Sequence, residues 1–200
     1  MLKYSQKTNE VDLMIKSDVK IFERIPKIST DRLVLRRISS ADLSDVYEYA
    51  RDPFLTKYLL WCPHPDLSYT KAYLANIKKG YKRGDYYDWG IEFNGKMIGT
   101  VGFTSFDFNN NSAQIGYVIN ERYKGQGIAT EAASAIIKFG FEYLNLERIY
   151  AKYIIGNDAS RRVMQKLGMS YEGTMRHGVK CKGSYRDVGI CSIIRSEYFK

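Results

Sequence analysis

The sequence has few cysteines and no long apolar run. Its 200 residues include three cysteines, Cys62, Cys181 and Cys191, and no C-x-x-C pair. An odd number without that spacing argues against a disulfide framework and a zinc site, so we expect buried thiols and no bound metal. No apolar segment reaches the roughly 20 residues that span a bilayer, and the N-terminus lacks a signal peptide's apolar segment. Membrane and secreted classes are therefore disfavoured, and we predict a cytoplasmic protein.

Acidic residues are also scarce relative to basic ones, 22 against 31, which gives a net charge of +9. A basic surface attracts phosphate groups, whether they belong to a nucleic acid or to a cofactor. Residues 122–200 carry most of the excess, but they contain no uninterrupted basic run and no nucleic-acid module motif. The charge therefore favours an anionic ligand, and we expect no membrane partner and no nucleic-acid partner except through the ribosome.

Apolar residues make up 44% of the chain and aromatic residues 14%, which is enough for the core of one domain. Residues 1–28 mix charged and apolar residues without a clean period, and Pro26 closes this segment. We interpret it as an N-terminal extension that could form a short strand or helix, a dimer arm or a tail. One of these alternatives is a homodimer. The domain proper is predicted to span residues 29–200.

Hydrophobic periodicity predicts the order of elements in the first part of the domain. Apolar residues at strand spacing predict a strand over residues 30–38, and helical spacing follows over residues 42–50 and 67–82. Asn94-Gly95 between two strand-like runs predicts an antiparallel hairpin with a type I′ turn. A third strand, over residues 112–120, then leads into a glycine-rich turn.

Residues 54–66 are predicted to be a proline-bracketed loop rather than a regular element. A lone histidine in a loop is more often exposed or structurally bonded than catalytic, and we interpret His64 in this way. Tyrosine and tryptophan side chains in and after the loop could line a groove, but such residues more often belong to the core. These aromatic residues are Tyr58, Trp61, Tyr69 and Tyr73.

The glycine-rich turn spans residues 121–130, Glu-Arg-Tyr-Lys-Gly-Gln-Gly-Ile-Ala-Thr. Gly125 and Gly127 let the backbone approach a ligand, and a helix after them offers unpaired N–H groups and a positive dipole end to an anion. Arg122 and Lys124 add positive charge at the rim. The dinucleotide fingerprint and the P-loop both match this sequence badly, which leaves another kind of phosphate site or an ordinary strand-to-helix turn.

A parallel crossover is predicted after the turn. Helical spacing over residues 129–144 is followed by a buried strand over residues 149–155, and strand, loop, helix and strand together make a βαβ unit. Asn157 and Gly168 then bracket a short helix as its N-cap and C-cap. A hairpin over residues 169–197 completes the domain.

Together these segments resemble the GNAT superfamily of acetyl-CoA-dependent N-acetyltransferases, and within it the Rim-type group that includes ribosomal-protein N-terminal acetyltransferases. The resemblance covers residues 30–196. It implies an α/β GNAT fold, with a mixed, mostly antiparallel central sheet and a parallel βαβ crossover at the acetyl-CoA site. The sequences that carry it are Thr30-Asp31-Arg32-Leu33-Val34-Leu35-Arg36, Ile98-Gly99-Thr100-Val101-Gly102, Ile115-Gly116-Tyr117, residues 122–131 and residues 157–173.

The resemblance also implies roles for particular residues. The backbone of residues 117–119 would pair with the pantetheine arm, and the backbone amides of residues 124–129 would hold the pyrophosphate. Asn157 would bond the pantetheine portion. Ser160 would protonate the leaving thiolate, since Met164, where other branches carry a tyrosine, cannot donate a proton. The implied catalytic residue is thus Ser160, and the implied cofactor-binding residues are Tyr117, Val118, Ile119, Arg122, Lys124, Gly125, Gln126, Gly127, Ile128, Ala129 and Asn157.

Two departures from the family pattern concern the general base. Gln114 and Val179 stand where some relatives carry a glutamate. Glu92 and Asp107 are acidic and lie in the predicted sheet, but each is more typical of a solvated strand or turn residue. No general base is therefore assigned.

The predicted activity is direct transfer of an acetyl group from acetyl-CoA to a primary amine, through a tetrahedral intermediate and without an acyl-enzyme. An α-amine has a pKa of roughly 7.7–8.0 and a lysine side chain about 10.4, so a site without an assigned base suits the α-amine better. We therefore predict the N-terminal amine of a protein or peptide as acceptor. The alternatives are a small amine or antibiotic, or a non-catalytic CoA-binding or ribosome-associated module.

Overall fold

A computed structural model describes residues 25–200, so most of the predicted extension over residues 1–28 lies outside the described residues. Eight strands and six α-helices form in the described part of the chain, together with two 3-10 turns over Ser40–Asp42 and Glu121–Tyr123. The strands and α-helices are β1 Ile28–Ser29, β2 Val34–Arg36, α1 Leu43–Ala50, α2 Pro53–Thr56, α3 Leu67–Arg83, β3 Asp88–Phe93, β4 Lys96–Asp107, β5 Ser112–Ile119, α4 Ile128–Glu142, β6 Arg148–Ile154, α5 Asp158–Lys166, β7 Ser170–Cys181, β8 Ser184–Ile194 and α6 Arg195–Tyr198.

All eight strands belong to one sheet, in the order β1-β2-β3-β4-β5-β6-β8-β7. Every neighbouring pair within residues 25–200 is antiparallel except β5 and β6, which run parallel and are joined through α4. The prediction of a mixed, mostly antiparallel sheet with one parallel crossover is confirmed. Because β5 enters the glycine turn directly, this crossover places the turn at the end of the only parallel pair described.

Two turns form as their residue types predict. Asn94 and Gly95 both have positive φ, 51° and 76°, as a type I′ hairpin between β3 and β4 requires. Helix α3 begins after Asp66, whose side chain accepts a hydrogen bond from the Tyr69 backbone N–H, and ends at Gly84 in the left-handed conformation. The hairpin and the second predicted helix are therefore confirmed.

Helix α2 and Cys62 differ from the predictions. The segment predicted as irregular begins with the four-residue helix α2, because Pro53 fits the first helical position and the Asp52 side chain accepts from the Phe54 N–H at 2.8 Å. Cys181 and Cys191 are buried as expected, but Cys62 is exposed. Its place in the loop between α2 and α3 explains the exposure, since this loop runs over the surface.

Helix α4 packs closely on one face of the sheet because its inner residues are small. Ala132 and Ala133 are fully buried, and a Cβ on Gly140 would lie 2.7 Å from Cδ1 of Ile149 in β6. Among residues 25–200, no helix is both long and apolar enough to cross a membrane. The close packing fixes the start of α4, and with it the glycine turn, against the end of β5.

Candidate active site

The site lies where β5 and β6 separate. The parallel pairing ends at Ile115 and Ala151; beyond that point residues 116–119 pair with β4 alone and residues 152–154 pair with β8 alone. One side of the β5 backbone is therefore open to a ligand. Two adjoining cavities occupy the opening, with volumes of about 250 and 510 Å³, and both are lined by Tyr117, Val118, Asn157 and Ser160.

The smaller cavity, which we call the loop groove, runs between the end of β5, the glycine turn and α5. Gly125 and Gly127 both have φ of 78°, a conformation that favours glycine. A Cβ on Gly125 would have no neighbour within 4 Å, so the turn is not packed against other elements at this position. Helix α4 begins after Gly127 without a side-chain cap, and its first N–H groups are therefore suited to an anion.

Most of the residues predicted to bind the cofactor line this groove. Arg122 and Gln126 do not: the Arg122 guanidinium lies 3.3 Å from the Glu48 carboxylate, and Gln126 Nε2 donates to the Arg122 carbonyl. The Lys124 ammonium pairs with Glu121, and its backbone N–H donates to the carbonyl of the same glutamate. The lining contains Tyr117, Val118, Ile119, Lys124, Gly125, Gly127, Ile128, Ala129, Asn157 and Ser160.

Three side chains meet where the two cavities join. Asn157 caps α5, since its Oδ1 accepts from the Ser160 N–H at 3.2 Å. The Tyr117 hydroxyl donates to the Ser160 carbonyl at 3.0 Å and also lies 3.0 Å from Ser160 Oγ. Burial raises the pKa of Tyr117 to about 12, so it keeps its proton at neutral pH. The sequence predicted a backbone role for Tyr117 and missed this hydroxyl pair.

The larger cavity, which we call the aromatic cavity, lies between the sheet and helices α1 and α3. Tyr58, Trp61 and Tyr73, for which a groove and the core were both considered, line it, and Trp61 and Tyr73 also pack against the core as expected. Some of the sheet residues that line the cavity are small, which leaves room beside the larger ones. They are Thr100 and Thr104 of β4 and Gly116 of β5.

His64 belongs to the wall of the aromatic cavity and has a structural partner. Its Nδ1 lies 2.9 Å from Thr70 Oγ1, and its ring centroid is 4.8 Å from that of Tyr69 and 5.2 Å from that of Tyr73. Burial lowers the pKa of His64, which favours the neutral imidazole. The prediction of a structurally bonded histidine is confirmed.

Asp88, at the start of β3, lines the aromatic cavity and was missed by the sequence reasoning. It is the one carboxylate among the lining residues that the structure describes. Burial raises the pKa of Asp88 to about 6, against a smaller opposing effect of its hydrogen bond with Tyr86. By contrast, Glu92 pairs with Arg36, and Asp107 bonds Asn110 at an exposed turn. An isolated carboxylate opening an apolar strand was the only signal that could have singled out Asp88.

Comparisons with known proteins show the family. Residues 32–170 match the family described as acetyltransferase (GNAT) domain, and the chain belongs to this family. It is 34% identical over 171 residues to the uncharacterized N-acetyltransferase p20 of Bacillus licheniformis, covering 84% of this chain and 96% of that protein. It is 28% identical over 176 residues to the ribosomal protein uS5-alanine N-acetyltransferase of Escherichia coli, covering 82% of this chain and 89% of that protein.

Solved structures agree with the assignment. The crystal structure of a GNAT-family acetyltransferase from Bacillus anthracis matches this one with a TM-score of 0.76 and 27% sequence identity. The match covers 86% of this chain and 100% of that chain. The chain is therefore an N-acetyltransferase with the GNAT fold, and its family uses acetyl-CoA as donor.

The loop groove fits that donor on physical grounds. The open edge of β5 at residues 117–119 can pair with an extended amide-bearing arm, and the uncapped start of α4 can receive phosphate groups. Gly125 lines the groove, and its Cβ position is open space, so a side chain there would project from the turn without meeting another protein atom. When bound there, acetyl-CoA supplies an activated thioester, and Tyr117 and Ser160 hold hydroxyl protons at the end of the groove.

Proposed function

We propose that this protein transfers an acetyl group directly from acetyl-CoA to the α-amine at the N-terminus of a protein or peptide. The observation that carries the proposal is the lining of the aromatic cavity. The lining residues that the structure describes include several aromatic side chains and one carboxylate, that of Asp88. Aromatic faces and one carboxylate suit one ammonium group attached to an apolar residue. A polyamine carries several ammonium groups, and this wall offers only one anionic partner for them.

The pKa values of the amines support the same choice. An α-amine has a pKa of roughly 7.7–8.0 and loses its proton much more readily than a lysine side chain at about 10.4. The Asp88 carboxylate is a weak base, with its pKa raised to about 6. Proton transfer to it therefore costs less free energy from an α-ammonium group than from a lysine ammonium group. The site is therefore better matched to an N-terminus than to a lysine side chain.

Relatives supply a further argument. The relative from Escherichia coli is named for an alanine of ribosomal protein uS5, and it shares 28% identity over most of this chain. We infer a protein or peptide acceptor of this kind, and we expect contact with nucleic acid only if that acceptor sits on a ribosome. Because the reaction consumes acetyl-CoA, we also expect a cytoplasmic location.

A panel of acceptors tests the proposal by measuring thiol release from acetyl-CoA near pH 7.5. The arms are a peptide with a free α-amine and no lysine, the same peptide with its N-terminus blocked and one lysine added, spermidine, and an aminoglycoside. We expect kcat/KM to be at least about tenfold higher for the free α-amine, from the difference in amine pKa. Activity confined to the lysine peptide or to spermidine would overturn the choice of acceptor. Acetyl-CoA binding without thiol release in any arm would identify a non-catalytic module.

A further inference from the structure

The strand register places Asp88 in line with the open edge of β5. Asp88 of β3 pairs with Gly102 of β4, and Gly102 pairs with Gly116 of β5, the residue before Tyr117. Paired residues on neighbouring antiparallel strands project to the same face of a sheet, so these three positions form a row across it. At a strand spacing of about 4.8 Å, the row spans about 10 Å from Asp88 to Gly116.

Neighbouring side chains lie over both glycines of this row. Oδ1 of Asp88 lies 2.4 Å from the position that a Cβ on Gly102 would occupy, so the absence of a side chain at Gly102 makes room for the carboxylate. At the β5 end, a Cβ on Gly116 would meet the Thr104 side chain at 2.8 Å. Asp88, Gly116 and Ser160 all line the aromatic cavity, so the cavity itself connects the Asp88 carboxylate to the junction with the loop groove.

The surroundings of Asp88 hold it in place but do not neutralise it. Its backbone carbonyl accepts from the Tyr81 hydroxyl of α3 at 2.6 Å, and its carboxylate has the Tyr86 hydroxyl as a hydrogen-bond partner. Within residues 25–200 it forms no ion pair. The other titratable groups near Asp88 are phenols and a neutral imidazole. Tyr81 and Tyr86 are its hydrogen-bond partners, and Tyr49, Tyr73 and His64 line the cavity with it, as does Lys152 of β6.

A desolvated carboxylate without a cationic partner is costly, and a site of this kind favours a cation supplied by a ligand. We propose that Asp88 binds the ammonium group of the acceptor and takes its proton, which makes Asp88 the catalytic base of the transfer. The inference rests on the proposed function in one respect: the acceptor must be a primary amine. The row from Asp88 to the edge of β5 is about 10 Å long, and the Asp88 side chain together with one bridging water spans most of it.

The proton and electron balance is complete. The ammonium gives one proton to the Asp88 carboxylate, and the free amine forms the C–N bond at the thioester carbonyl carbon. Collapse of the adduct breaks the C–S bond, and the leaving thiolate takes one proton from the hydroxyl pair formed by Tyr117 and Ser160. The pair then regains one proton from the new amide nitrogen. The Asp88 carboxylic acid then returns its proton to solvent. Because burial raises the pKa of Asp88 to about 6, the group is mainly ionised at neutral pH and still basic enough to accept a proton.

The test compares Asp88→Asn with the wild-type protein on the best acceptor of the panel, over pH 5 to 9. Asparagine keeps the shape and the contact with Tyr86 but cannot take a proton. At pH 7 we expect kcat/KM to fall about 10²–10³-fold, the range of a lost general base. The loss should shrink as pH rises past the amine pKa of roughly 8, because the amine then arrives deprotonated. The acid limb of the wild-type profile, near pH 6, should be absent from the variant.

Two controls separate this role from a structural one. Asp107→Asn makes the same change at an exposed turn of β4 and should leave the pH profile unchanged. The folded-state pKa of Asp88 is raised, so its ionised form costs stability above about pH 6 and the cost disappears below its unfolded value of about 3.9. Asp88→Asn should therefore melt at or above the wild-type temperature at pH 7, and its acetyl-CoA affinity should be unchanged.

The possible failures are distinct. If Asp88→Asn keeps the wild-type pH profile, or loses less than about threefold at every pH, Asp88 is not the base and the proposed activity stands. If no amine in the panel releases thiol with the wild-type protein, the proposed function fails and this inference fails with it.

Discussion

The loop groove and the aromatic cavity are built in different ways, although they share a wall. The groove comes from a nearly continuous stretch, residues 117–130, with α5, Leu55 and Leu59 added, and the stretch offers mainly backbone N–H and C=O groups. The cavity is assembled from α1, the loop after α2, α3, α5 and six strands, and its character comes from side chains. The groove therefore suits one ligand shared by a family, whereas the cavity can change its acceptor through single substitutions.

The two regions meet at the hydroxyl pair formed by Tyr117 and Ser160, which lies on the boundary of both. A change deep in the groove should affect donor binding alone, and a change to the hydroxyl pair should affect turnover alone. Three sets of variants test this division, in order of decreasing effect.

The largest effect is expected from Gly125→Glu, which places bulk and negative charge in the loop groove. We expect acetyl-CoA affinity to fall about 10³-fold, the scale of two lost charge-assisted hydrogen bonds. Gly183→Glu is a matched control, because Gly183 also has positive φ and open space around its Cβ position but lies in the turn between β7 and β8. Isothermal titration should show unchanged affinity for the control. Equal affinities for both variants would disprove the backbone-built groove.

The second effect is expected at the junction. Ser160→Ala should lower kcat and kcat/KM together by about 10²-fold while acetyl-CoA affinity stays unchanged, since the lost proton donor acts in the transition state. Tyr117→Phe removes the paired hydroxyl and should cost a similar factor. If the two hydroxyls act as one unit, the double variant loses little more than either single variant. Ser184→Ala, at the exposed start of β8, is the control, and a loss of twofold or less in Ser160→Ala would argue against the role.

The smallest effect concerns Asn157 and separates a helix cap from a ligand contact. Asn157→Asp keeps the cap oxygen and removes the amide donor, whereas Asn157→Ala removes both. Only the alanine variant should lose stability, about 1 kcal/mol or roughly 2–4 °C in Tm. Both should bind acetyl-CoA about tenfold more weakly, the value of one lost hydrogen bond to the ligand. Wild-type affinity in Asn157→Asp would limit the residue to its capping role.

Much of the groove could be predicted from sequence because its determinants are local. The φ of 78° at Gly125 and Gly127, the cap at Asn157 and the hairpin at Asn94-Gly95 depend on residues only a few positions apart. Arg122 shows the limit of the same reasoning. Its positive charge predicts a phosphate contact, which stays a prediction, and no local pattern indicated that Glu48 of α1, far away in the sequence, lies beside its guanidinium.

The sequence by itself determined the order of the described elements, their parallel crossover and the conformation of the glycine turn, because hydrophobic periodicity and glycine content indicate these within short segments. Only the tertiary structure decided what faces the acceptor. Asp88 became a cavity carboxylate because the registers of β3, β4 and β5 align it with Gly102 and Gly116, and Tyr117 reached Ser160 across 43 residues. Such contacts depend on strand register and helix packing, which no local pattern specifies.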